Sequence, residues 1–341
     1  MDSMRLATTT DSSRTSTPTE LIPLSIGDVF DEAFDLYKRN FALFAGITAV
    51  VSVPVHIASQ AVNTAMGLDK LAARFGENGD LSDPSSAISI MLGFMAISSV
   101  EMIVFTVVHV LQSGALAVAV SQRYLGRPVT LRSAYGAVWR RIGALIGTWL
   151  LVLAVGGAAA GGILFVVSLL AGLVAGAFSV AGSAGIVLGM VVVIVGILSG
   201  CLIAAAAFVS LGLFATQIVT IEGTAWGAAM ERNRALVRGR APRIALAVVL
   251  LWVLLVCFWG AIWGSLQLAL EYLVFSLLRV PETVQNLTNA SVGAVIWLLL
   301  EPFWLVSVTL LYYDQRVRRE GFDLTVLERQ VEAIGERSAL K

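Results

Sequence analysis

The sequence predicts an all-α, polytopic membrane helical bundle with six transmembrane helices, and three observations carry that prediction. Of 341 residues, 57% are hydrophobic and only 13% charged, about half the charge of an ordinary soluble domain. The 80 residues from Ile142 to Ile221 contain no Asp, Glu, Lys or Arg, whereas a helix of a soluble protein shows water a polar face. The basic residues, finally, are distributed with a one-sidedness that six spans explain and seven do not.

Apolar windows of about twenty residues, the length that crosses a bilayer, place spans at 41–61, 88–120, 142–173, 185–220, 244–270 and 292–313. The long uncharged stretch divides once, at the Gly/Ser-rich AGAFSVAGSAG of Ala175–Gly185, which reads as one turn between two long helices. With both termini cytoplasmic, the inner segments hold 20 of the 23 Lys/Arg residues and leave only Lys70, Arg74 and Arg279 outside, as the positive-inside rule requires. A third span in the uncharged stretch would reverse everything after it. Residues 1–22, rich in Ser and Thr and without an apolar signal-peptide core, read as a disordered cytoplasmic tail. The membrane domain occupies 23–313, and 314–341 forms a partly helical cytoplasmic tail.

Within the domain a short pattern recurs. In LSIGDVFDEAFDLYKRN, residues Ile26, Val29, Phe30, Ala33, Phe34 and Tyr37 share one helical face, and Ser25 with Asp28 forms an N-terminal cap. VTLRSAYGAVWRRIGALI places Leu131, Ala134, Tyr135, Val138 and Trp139 on one face; GTAWGAAMERNRALVRGRAPRI does so more weakly with Trp226, Met230, Asn233 and Val237. YKRNFALF and WRRIGALI align without a gap. The expectation is three parallel units, each an amphipathic surface helix (25–40, 130–141, 224–240) followed by a transmembrane hairpin. Their apolar faces are expected at the lipid headgroups, with Lys38, Arg39, Arg140, Arg141, Arg238, Arg240, Arg316, Arg318 and Arg319 as lipid-contact candidates. Tyr312 and Tyr313 read as an interfacial aromatic belt. Membrane lipids are the expected partners, with another membrane protein or a second copy as further options.

The residues offer little catalytic material. HExxH, a Walker loop, GxSxG and CxxC are all absent, and two histidines are too few for a histidine-rich metal site. No cofactor is expected, and no basic stripe interleaved with aromatics suggests nucleic acid. Cys201 and Cys257 read as small buried apolar residues. Gly143/Gly147, Gly157/Gly161, Gly172/Gly176, Gly185/Gly189 and Gly260/Gly264 suggest close helix packing, as does GILSG at Gly196–Gly200. Polar groups inside the spans are the functional candidates, because they are costly in hydrocarbon: His56 and Gln60, then Glu101 and His109 with Gln112 nearby, and Glu301. His56 and His109 fall at similar depth, while Pro54 and Pro302 free backbone carbonyls that need partners. Two functions stay open, a non-enzymatic accessory or scaffold contacting lipid or a membrane enzyme, and a transporter for a small or lipidic substrate.

Three stretches, PLSIGDVFDEAFDLYKRNFALF, the EG…A…R…RGR pattern of Glu222–Arg240, and LLYYDQRVRREGFDL, together resemble the bacterial membrane-domain family named after glycerophosphoryl diester phosphodiesterase. The resemblance covers nearly the whole chain and implies a six-span protein of the bacterial inner membrane. It does not imply hydrolysis, since the spans and tails leave no room for the catalytic domain that gives the family its name.

Overall fold

A computed structural model describes residues 25–66, 84–179 and 182–321. The side chains of 63–66, 84–98, 100–102, 179, 182–184, 186, 282 and 283 fall outside that description. So do both expected tails beyond Gly321 and before Ser25, and the segment that carries Lys70 and Arg74.

All regular structure among the described residues is helical. One order of elements, short amphipathic helix, break, two long apolar helices, occurs three times. Helix α1 (Ile26–Arg39) leads into α2 (Phe41–Met66) and α3 (Pro84–Tyr124). Helix α4 (Leu131–Trp139) leads into α5 (Ile142–Ser179) and α6 (Gly182–Gly212). Helix α7 (Trp226–Val237) leads into α8 (Ala241–Leu270) and α9 (Glu282–Glu320). Six helices are long and apolar enough to cross a membrane; this is a multi-pass helical membrane protein. Helix α9 runs on past Tyr313 to Glu320, where Gly321 ends it at φ 59°, a conformation glycine adopts without a Cβ penalty.

The short helices start where their sequences provide caps. The Ser25 hydroxyl accepts from Asp28 N at 3.2 Å while Ser25 N donates to the Asp28 carboxylate at 2.9 Å. These bonds hold the Asp28 carboxyl below its ordinary range. Thr130 does the same for α4, accepting from Ser133 N at 3.3 Å. Before α7 the chain turns at Gly223 with φ 83°. A Cβ there would come within 2.6 Å of the Arg141 guanidinium, which donates to Val219 O at 2.9 Å; the positive φ is what favours glycine.

The core sits where the three short helices meet the ends of the spans, here called the foot of the bundle. Val29 and Ala33 of α1, Ala134 and Val138 of α4, and Leu236 and Val237 of α7 are buried with Phe44, Leu145, Phe214 and Leu311. The expectation that the apolar faces rest on headgroups is therefore corrected: the long helices leave crevices at their ends, and the short helices fill them. Each leaves one large aromatic outside, Phe34, Trp139 and Trp226, which are 56%, 70% and 57% exposed. Asn233 belongs to the buried face because α6 stops at Gly212 and strands backbone groups. Its amide donates to Val209 O at 2.8 Å and Ser210 O at 3.0 Å, and its oxygen accepts from Phe214 N at 3.0 Å.

The glycines follow the spacing pattern only in part. Around Gly143, Gly157, Gly161, Gly172, Gly176, Gly260 and Gly264, an added Cβ would meet none of the described residues within 4 Å. Close approach does occur at three of the expected glycines, Gly147 under the Trp226 ring, Gly189 against Phe178 and Gly200 against Val167, and also at Gly212 against Val152 and Gly114 against Leu145. A glycine pair marks a face that allows contact, and the tertiary arrangement decides whether that face is used.

Candidate functional site

Helices α2, α3 and α9 enclose a cavity of about 470 Å³, within the range of small-molecule sites. Its wall is mostly apolar, with Ser52, His56 and Ser59 from α2, Gln112 from α3 and Glu301 from α9 as the polar groups. Pro54 lies within the α2 wall and Pro302 follows Glu301, so each helix lacks one internal hydrogen bond beside the cavity. Near the second of these, the Tyr37 hydroxyl donates to Leu299 O at 2.7 Å. Burial pushes that hydroxyl up to about 12, which keeps it protonated and able to donate.

The polar wall is held from several directions. Glu301 is 5% exposed, and its Oε1 lies 3.1 Å from His109 Nδ1. One proton serves this contact, carried either by His109 or by the carboxyl. His109 stacks on Phe105 with ring centroids 6.1 Å apart and meets Trp149 edge-on at 5.6 Å. Trp149 is anchored by Nε1 donating to the Thr216 hydroxyl at 2.9 Å. Gln112 joins α3 to α2, donating to Thr48 O at 2.9 Å and to the Ser52 hydroxyl. His56 differs from these: its Nε2 is buried and has no hydrogen-bond partner among the described residues. A buried polar atom left alone costs about 1–3 kcal/mol unless something satisfies it.

A second hollow of about 450 Å³ adjoins the first and shares His56, Ala294 and Trp297 with it. Its other side is α8, where Trp259 and Trp263 stack with centroids 5.3 Å apart and an interplanar angle of 6°. Their indoles donate across to Gly293 O at 3.2 Å and Asn289 O at 3.4 Å. Asn289 Oδ1 also lines this hollow as a buried atom without a partner. Across the combined space Gln112 and Glu301 stand on one side and Trp259, Trp263 and Asn289 on the other, with His56 and Trp297 at the junction. Such a volume fits an amphiphile.

The expected site residues thus divide. His56 and Glu301 line the same cavity, and His109 meets Glu301 from behind that wall without lining the cavity itself. Gln60 is half-buried and lines neither hollow, and the side chain of Glu101 lies outside the described residues. Ser52, Ser59 and the three tryptophans were not singled out from the sequence. The four-residue spacing of Trp259 and Trp263, one face of one helix, was the available signal.

The lipid-contact candidates divide too. Lys38, Arg39, Arg140, Arg141, Arg238 and Arg319 are exposed at the foot, Arg39 pairing with Asp35 at 3.1 Å. Arg319 donates to Arg238 O, and Arg240 is half-buried. Arg316 and Arg318 are drawn into the protein. Arg318 Nε reaches both Asp314 oxygens at 2.9 Å, and Arg316 Nε reaches Glu320 at 3.1 Å. Tyr312 and Tyr313 are 0% and 1% exposed, so the expected interfacial belt is corrected to buried core. The reason is hydrogen bonding: Tyr312 donates to Glu222 at 2.6 Å, and Tyr313 shares a 2.6 Å bond with Ser121. Glu222 also takes Arg232 through bonds of 2.7 and 3.1 Å, which raise the Arg232 guanidinium above its ordinary value. Cys201 and Cys257 are exposed, which corrects their expected burial. Among the described residues, no group of three His, Cys, Asp or Glu is placed to hold a metal ion. No family model, curated protein or solved structure matches the chain.

Proposed function

We propose that this protein is a non-enzymatic carrier of small amphiphiles in a bacterial inner membrane, with both termini cytoplasmic. The substrate's polar end sits at His56, Gln112 and Glu301, and its apolar part extends toward Trp297, Trp259 and Trp263. What carries the reading is one observation: the unpartnered His56 Nε2 and the buried Glu301 carboxyl line the same cavity. The His109–Glu301 contact holds the carboxyl in place at the polar end of the site. The orientation rests on the one-sided arginines, and the choice of membrane on the family resemblance.

The experiment is a thermal-shift titration of detergent-purified protein with dodecanoic acid and dodecylamine. Binding raises the unfolding temperature in proportion to occupancy. Wild type is expected to respond to at least one probe and Ala294→Trp, which fills the junction of the two hollows, to neither. Equal responses would remove the proposal.

A second reading, an accessory or scaffold that contacts a membrane enzyme, is favoured by the α5–α6 hairpin. Helix α5 has 38 residues, about 57 Å at 1.5 Å per residue, against a hydrocarbon core of about 30 Å. Phe165, Leu173 and Leu198 are exposed along it and its partner. Crosslinking from single cysteines at these three positions separates the readings: adducts with one recurrent protein support the scaffold, and adducts with lipid alone support the carrier.

A further inference from the structure

We propose that the foot of the bundle carries an anion site, a pocket between α1, α8 and α9 that takes a phosphate group. The pocket has a volume of about 60 Å³ and is lined by Arg240, Arg243, Arg318, Asp314 and Gln315, with Ile26 and Val29 of α1 among its apolar walls. At roughly 10–15 Å³ for each water that a cavity admits, it holds about four to six heavy atoms, the size of a tetrahedral oxyanion.

Among the described residues that line it, three guanidiniums face one carboxylate, a surplus of two positive charges. Asp314 does not cancel the free arginines, because its oxygens already accept from Arg318 at 2.9 Å and from Gln315 Nε2 at 3.0 Å. Arg240 Nη1 is buried and has no hydrogen-bond partner among the described residues. Arg243 is exposed and in no ion pair among the described residues. The acidic residues of α1, Asp28, Asp31, Glu32 and Asp35, do not line the pocket. Arg240 is also the N-cap of α8, a 30-residue helix whose first N–H groups and dipole add positive potential at the same point. A buried guanidinium nitrogen with no acceptor, in a pocket of net positive charge, calls for an oxyanion. Guanidinium suits phosphate in particular, because its planar fork matches two oxygens at once.

The site is separate from the amphiphile cavity. Glu301 and Asp314 are thirteen residues apart on α9, about 20 Å along the axis. A phosphate reaches the foot either as the headgroup of an anionic phospholipid or as a free ion, and the chemistry of the site is common to both.

The test is thermal unfolding of the purified full chain with added dioleoyl phosphatidate, dioleoyl phosphatidylcholine or inorganic phosphate. Phosphatidate or inorganic phosphate is expected to stabilise wild type, and phosphatidylcholine to do so less. Stabilisation by phosphatidate alone identifies a lipid headgroup, and stabilisation by inorganic phosphate identifies the free ion. Arg243→Gln, at an exposed position that the fold does not use, weakens the response about tenfold, the loss of one charge-assisted contact. Arg240→Gln/Arg243→Gln abolishes it. Arg234→Gln, exposed on α7 outside the pocket, leaves the response intact. The site is overturned if Arg243→Gln responds as wild type does, if Arg234→Gln loses as much, or if phosphatidylcholine stabilises equally.

Discussion

His109 and Glu301, 192 positions apart in sequence, meet at 3.1 Å. The contact joins α3 to α9 beside the cavity and fixes the Glu301 carboxyl among the polar groups of its wall. Glu301→Gln keeps a group that can hydrogen-bond His109, whereas Glu301→Ala leaves the imidazole without one. Thermal unfolding in detergent is expected to rank wild type and Glu301→Gln close together, with Glu301→Ala about 1–3 kcal/mol less stable. If Glu301→Ala matches wild type, the contact does not organise the site.

Glu222 predicts a larger effect, because it gathers Arg232, Tyr312 and Arg316 at the foot. Glu222→Ala strands the Tyr312 hydroxyl and leaves Arg232 with Glu320 alone, at a cost of about 2–3 kcal/mol. Tyr312→Phe removes one charge-assisted bond and costs about 1.5 kcal/mol. The two groups touch, so the double variant is expected to lose less than the sum. A strictly additive cycle would show that they act independently.

Two glycine substitutions should behave oppositely. A Cβ at Gly212 would lie 2.3 Å from Val152, so Gly212→Ala forces α5 and α6 apart and destabilises by about 1–3 kcal/mol. At Gly161 an added Cβ would meet none of the described residues within 4 Å, and Gly161→Ala is expected to be neutral or to gain up to about 1 kcal/mol in helix propensity. Circular dichroism melts of the two variants decide this.

Tyr37 gives a pH dependence. Its hydroxyl is raised from 10.0 to about 12 in the folded protein, so the folded state holds the proton more tightly than the unfolded state does. The stabilising contribution is fully present below 10.0 and is lost as pH rises toward about 12. Tyr37→Phe, which also loses the bond to Leu299 O, should be less stable at neutral pH by about 1 kcal/mol and should decline less steeply in that window. Equal slopes for the two proteins would place the alkaline loss elsewhere.

Much of this architecture was legible from the residues. Spans follow from apolar length, and the Ser25 cap from side-chain chemistry that acts within one turn. The polar candidates followed from the cost of burying His56, His109 and Glu301. What the residues could not disclose was which faces meet. Tyr312 and Tyr313 look like membrane-interface residues by local pattern, and only the approach of Glu222 and Ser121 makes them core. Arg316 and Arg318 look like lipid contacts for the same reason. The tryptophan hollow required α8 to lie against α9, a relation that no window of sequence contains.

The central claim is that the joined hollows hold an amphiphile, and native mass spectrometry of protein released from its own membrane tests it most directly. Wild type is expected to retain a bound mass that collisional activation releases, and Ala294→Trp to fly without it while melting at the same temperature as wild type without ligand. Identical adduct patterns in both proteins, or a bare wild type, would contradict the claim.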